Sequence, residues 1–124
     1  MITQPDIRPI RERGKRYELN KSYVYEDITV PKGFQYDGAS VPRIFMFLIG
    51  FERDGIHRPA ALVHDFLYQN KGYSGNNNQV VVYSRKQCDR IFFEIMKKVG
   101  VMHWHAILAY YAVRLGGKFS WGNK

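Results

Sequence analysis

The chain of 124 residues carries 19 Lys and Arg against 11 Asp and Glu, a formal net charge of +8, with 45% hydrophobic and 15% aromatic residues. That apolar content excludes a disordered chain and suffices for the core of one domain, residues 1–124. One cysteine, Cys88, excludes an intrachain disulfide, while the charge favours an anionic partner (nucleic acid, an anionic phospholipid surface or an acidic protein) or describes a merely solvated basic surface.

Residues 1–20 hold Arg8, Arg11, Arg13, Lys15 and Arg16. They read as a basic arm or edge segment, either ordered by a partner or left in solvent. The start of the chain has no basic stretch before an apolar run, so no secretory signal is expected. The longest apolar run, residues 44–50, is too short to span a bilayer. Residues 23–30 are rich in Tyr, Val, Ile and Thr and read as one strand. Pro31-Lys32-Gly33 is a turn, and residues 34–36 form a second short strand.

Asp37-Gly38-Ala39-Ser40-Val41-Pro42 then breaks the pattern. Ser40 suits the cap and Pro42 the first turn of a short apolar helix over residues 43–49. Residues 50–58 read as a loop. Pro59 opens the first main helix, residues 59–70. Residues 71–78 are dense in Gly, Ser and Asn and read as an exposed loop. Residues 79–83 are β-branched and read as a strand. Ser84 and Gln87 have capping-box spacing and start a helix over residues 84–99, which Gly100 ends. Cys88, Phe92, Ile95 and Val99 form its apolar stripe. A third helix covers residues 102–115 and stops at Gly116-Gly117. The fold class is α+β: three main helices with a small antiparallel sheet from residues 17–36 and 79–83.

The chemistry concentrates on two of these helices. His64 shares a helical face with Ala60, Ala61, Leu67 and Tyr68, so it points at least partly inward. Asp65 lies about 100° further round. Asp89 sits in the first turn of the next helix, where the helix dipole favours a carboxylate. A bond from the His64 ring to Asp89 would fix the tautomer and stabilise an imidazolium during proton transfer. The same pair would also serve as a buried polar contact between helices, and both readings stand at this point. A zinc site from His103 and His105 with His57 or His64 would need a non-helical segment there. The basic N-terminal cluster suits nucleic-acid phosphates, although no groove-reading motif accompanies it.

His64-Asp65-x-x-Tyr68 followed by Cys88-Asp89-Arg90 resembles the core of the secreted A-two phospholipases, which carry Cys-x-x-x-His-Asp-x-Cys-Tyr and Cys-Asp-Arg on antiparallel helices. The resemblance covers about 30 residues. It implies His64 as general base, Asp89 as its partner, Tyr68 as a brace for Asp89, and Asp65 as a calcium ligand. Ala60 and Leu67 stand where that family has cysteines. The resemblance therefore implies an apolar Leu67–Cys88 contact in place of a disulfide. The closely spaced glycines of that family's calcium loop are missing.

A second resemblance spans most of the chain. Val30-Pro31-x-Gly33-Phe34, Asp37-Gly38-Ala39-Ser40-Val41-Pro42, Ala61-x-x-His64-Asp65-x-x-Tyr68 and Asp89-x-x-Phe92 follow the order of an uncharacterised family of bacteriophage and prophage proteins (DUF1353). It implies a phage origin, residence in the virion or the host cytoplasm, and a cleft that Asp37 and Ser40 share with the His-Asp helix. Turn and capping chemistry would equally explain those two residues. Two functions follow as expectations. One is a metal-assisted hydrolase of an ester or phospholipid, with calcium as the cation. The other is a virion structural or assembly protein on a non-catalytic enzyme-like scaffold, partnered by other virion proteins.

Overall fold

The computed structural model describes residues 3–10, 17–36, 58–75, 80–119 and 121. The expected 43–49 helix, residues 50–57 of the expected loop, Asp37, Ser40, His57 and most of the basic cluster lie outside the described residues, and Arg58, expected in that loop, is the first residue of a helix. The fold is α+β. Among the described residues seven short strands run β1 (Ile7–Pro9), β2 (Tyr17–Leu19), β3 (Tyr23–Tyr25), β4 (Ile28–Val30), β5 (Gln35–Tyr36), β6 (Tyr73–Gly75) and β7 (Val80–Val82). The helices are α1 (Arg58–Gln69), α2 (Arg85–Lys98) and α3 (His103–Gly116), with a 3-10 turn at Gly117–Phe119.

The strands form three small antiparallel sheets, where the sequence pointed to one. Their orders are β1-β2-β5, β3-β4 and β6-β7. The expected single strand over residues 23–30 is a hairpin. Its turn places Glu26 at φ 53°, and Tyr25 faces Ile28 across it. The register buries Tyr23, Tyr25, Ile28 and Val30 on one side. Of the expected loop, residues 73–75 are a strand, because Tyr73, Ser74 and Gly75 pair with Val82, Val81 and Val80. Gly72 makes this return possible. It takes φ 84°, and a Cβ there would lie 1.8 Å from the Tyr83 carbonyl oxygen. The β7 strand joins β6 and leaves the N-terminal strands to pair among themselves. Two contacts tie the hairpins together: the Thr29 amide donates to Ser74 Oγ at 3.2 Å, and the Tyr83 hydroxyl donates to the Asp27 carboxylate at 2.7 Å.

The N-terminal segment is anchored. β1 is the edge strand of its sheet, and Arg8 pairs with Glu18 on β2. Asn20 bonds Asp6 through both backbone and side chain.

Helix α2 begins on the expected capping box. Ser84 Oγ accepts from the Gln87 amide at 3.1 Å, and Gln87 Oε1 accepts from the Ser84 amide at 2.8 Å. Its buried side is Cys88, Asp89, Phe92, Ile95 and Met96, so the stripe gains a carboxylate. Gly100, at φ 98°, ends the helix. Helix α1 is central. Residues 62–68 are all buried, because it packs on α2 and also touches β4 and β5. Helix α3 covers the far side of α2 and adds Ala106, Ala109 and Val113 to the same core. Leu67 and Cys88 are both fully buried in that core.

Candidate functional site

His64 and Tyr68 are one turn apart on α1, so both reach the same point on α2. That point is Asp89. His64 Nε2 lies 2.7 Å from Asp89 Oδ1, and the Tyr68 hydroxyl donates to the same oxygen at 2.6 Å. The other oxygen, Oδ2, accepts from Arg114 Nη1 of α3 at 2.8 Å, and Arg85 Nη1 stands 3.7 Å from it. Arg85 also donates to the Tyr68 hydroxyl and to the Val113 and Arg114 carbonyls, each at 3.3 Å. Those carbonyls belong to the last turn of α3, where the Val113 carbonyl also accepts from the Gly117 amide, and a guanidinium suits that negative end of the helix. One carboxylate thus joins all three helices.

His64 and Asp89 both have 0% exposed side chains. Burial pushes the His64 imidazole below its ordinary range, against the pull of Asp89, so it is neutral at pH 7. Burial raises Asp89, but the bonds from His64, Tyr68 and Arg114 outweigh it and hold the carboxyl below its usual range. Burial and Asp89 together push the Tyr68 phenol up, so it stays a donor. An ionised Asp89 requires the His64 proton on Nε2, which leaves the lone pair on Nδ1. The His64 ring lies 4.1 Å from the Tyr68 ring and 4.7 Å from Phe92, centroid to centroid. Trp121 meets Tyr68 edge-on at 5.1 Å.

Three of the expected site residues, His64, Tyr68 and Asp89, therefore meet. Asp65 points elsewhere. It is buried, and its Oδ2 accepts from Gln69 Nε2 at 2.9 Å. Among the described residues no three His, Cys, Asp or Glu side chains converge as a metal would need. The zinc alternative has the same difficulty, since His103 and His105 lie on a regular helix and His103 Nδ1 pairs with Lys97 Nζ at 2.8 Å. Sequence reasoning missed two residues. Arg85 was accessible through its i,i+4 relation to Asp89. Arg114 depends on how α3 packs, and no local signal marks it.

The DUF1353 family, described as protein of unknown function, matches residues 15–113. The chain belongs to that family. The chain is also similar to the uncharacterized protein y4jT of Sinorhizobium fredii, 28% identical over 117 residues. The match covers 90% of this chain and 30% of the relative, so the chain spans about a third of that protein's length. No solved structure matches the DUF1353 chain significantly.

Proposed function

We propose that this DUF1353 protein is a bacteriophage-associated hydrolase of the phospholipase-like type, acting on an ester or phospholipid through His64 and Asp89. The observation that carries the reading is the 2.7 Å bond from His64 Nε2 to an Asp89 oxygen that Tyr68 also holds. A neutral His64 with its lone pair on Nδ1 has the form a general base needs. In this reading Nδ1 takes a proton from water while the water oxygen bonds to the acyl carbon. The ester C–O bond then breaks, and the proton passes to the leaving alkoxide. Asp89 stabilises the imidazolium between these steps, and Tyr68 braces Asp89. The net charge of +8 suits an anionic substrate surface. Calcium belongs to the reading only as a cation held by Asp65 with oxygen ligands from elsewhere, and no step is routed through it. The phage association, with residence in the virion or host cytoplasm, rests on the order of the sequence motifs.

The complete burial of His64 favours a second reading. Here the His64-Tyr68-Asp89-Arg114 network fixes helix packing in a virion structural or assembly protein whose partners are other virion proteins. Nucleic acid is a weaker partner, supported only by charge. Among the described residues no helix is long and apolar enough to cross a membrane.

The deciding experiment is hydrolysis of phospholipid and simple esters by purified protein, with and without calcium, for wild type and His64→Ala. Turnover that disappears in the variant supports the hydrolase. No turnover in either protein, with a lowered melting temperature in His64→Ala, supports the structural role.

A further inference from the structure

Helix α3 is apolar on both of its sides. Ala106, Ala109 and Val113 face the core. On the opposite side Trp104, Leu108, Tyr111 and Leu115 are each between 39% and 71% exposed. Their spacing of four, three and four residues places all four along one line of the helix. Arg114 is the one Arg, Lys, Asp or Glu in the helix, and it is turned to Asp89. A helix of this kind needs a covering medium on its outer face.

Charge identifies the medium. Residues 95–124 contain no Asp or Glu but five basic residues, Lys97, Lys98, Arg114, Lys118 and Lys124. The neighbouring α2 exposes Lys86, Arg90 and Lys97 with the single carboxylate Glu94 among them, and the Lys97–His103 bond places Lys97 at the start of α3. The apolar line thus has basic flanks. Four side chains on one convex helix are far fewer than the ~20–30 residues a side of a standard protein interface. They do match what an interfacial helix buries at the boundary of headgroups and acyl chains. Trp104 and Tyr111 are the residue types that settle there, with an apolar ring and a polar edge.

We propose that the outer face of α3 is a docking surface for an anionic phospholipid bilayer, with Trp104, Leu108, Tyr111 and Leu115 inserted and the α2 lysines and Arg90 on the headgroups. The proposal stands on α3 and its flanks alone. It is independent of whether His64 acts as a base, because its test reads binding and not hydrolysis.

The test is co-sedimentation of the full chain with sucrose-loaded vesicles of phosphatidylglycerol or phosphatidylcholine. Wild type is expected to pellet with phosphatidylglycerol vesicles and not with phosphatidylcholine vesicles. The double variant L108E/L115E should lose at least about ten-fold in binding. Its melting curve should be unchanged, because both side chains are exposed. R90Q/K97Q should bind more weakly, and more so as salt rises. Failure of wild type to pellet with phosphatidylglycerol overturns the proposal. So does equal pelleting by L108E/L115E, which would reduce the binding to charge alone. A lipid-free dimer in sedimentation velocity that L115E dissolves would assign the face to a second copy instead, and capture by an acidic polypeptide but not by vesicles would assign it to a protein.

Discussion

Gly117 lies directly beneath the Tyr68 hydroxyl: a Cβ at Gly117 would sit 2.4 Å from that oxygen and 2.8 Å from the ring carbon Cε2. Tyr68 has no free direction in which to retreat, since Trp121, His64 and Arg85 all contact it. Gly117→Ala is therefore expected to push the phenol off Asp89. Overpacking of this kind costs about 1–3 kcal/mol. Chemical denaturation of Gly117→Ala, Tyr68→Phe and the double variant measures it. The glycine substitution should cost less in the Tyr68→Phe background, where the closest atom is gone. Equal costs in both backgrounds would show that the hydroxyl contact is irrelevant.

Asp89, itself on α2, accepts from α1 and α3, so its removal is a structural event as well as a chemical one. Asparagine keeps the shape but leaves Arg114 and Arg85 without a counter-charge. Breaking a buried ion pair costs about 3–5 kcal/mol, and the partial exposure of both arginines places Asp89→Asn near the lower end. The two arginines thus make this variant a test of stability as well as of hydrolysis. Arg114→Gln should cost less, about 1.5–3 kcal/mol, as the loss of one charged hydrogen bond. In the Asp89→Asn/Arg114→Gln pair the two costs should fall short of adding. Strict additivity in urea unfolding would mean that the 2.8 Å contact contributes nothing.

Helix α2 was legible because it carries its own boundary signals, whereas α3 starts at Met102 without a side-chain cap. Ser84 and Gln87 start α2 and Gly100 ends it, and no tertiary contact was needed to see this. His64 and Asp89 were legible as a pair from their places on two helices, and Tyr68 joined them through the resemblance to the phospholipase motif. The hairpin over residues 23–30 was not legible. Its turn uses Glu26 at φ 53°, with none of the Asn-Gly or Gly-Gly signals that mark such turns. Strand β6 was hidden by composition, since Tyr73-Ser74-Gly75 sits in a run of turn-forming residues and is fixed by pairing with β7 and by Thr29 on Ser74. Arg114 belongs to the same class, because a residue at the end of α3 finds Asp89 only when three helices are already packed.

The cap at Ser84 has a measurable local role. Its hydroxyl satisfies the Gln87 amide at the end of α2 that carries Asp89. Ser84→Ala is expected to lower stability by about 1 kcal/mol. Asp89 lies one turn beyond this cap, but the three helices hold it directly, so its pairing should persist. The check combines urea unfolding with the NMR resonance of the His64 ring. A shifted His64 resonance would mean that the first turn of α2 frays as far as Asp89.

The buried neutral His64 gives stability a definite dependence on pH. Its folded pKa is lowered from 6.5, chiefly by burial. Below pH 6.5 the unfolded chain takes up a proton that the folded protein refuses, so unfolding gains from acid. This stability is fully present above 6.5 and is lost as pH falls from there through the folded value. Asp89 acts with the same sign in a lower window, since its pKa is held below 3.8. The melting temperature should therefore drop as pH goes from about 7.5 to about 5, and His64→Gln should flatten that slope while leaving the acid limb below pH 3.8. A histidine that is instead a cation paired to Asp89 has a raised folded pKa. It would produce a melting temperature that climbs over the same interval, and that result would remove the neutral base on which proton transfer at this site depends.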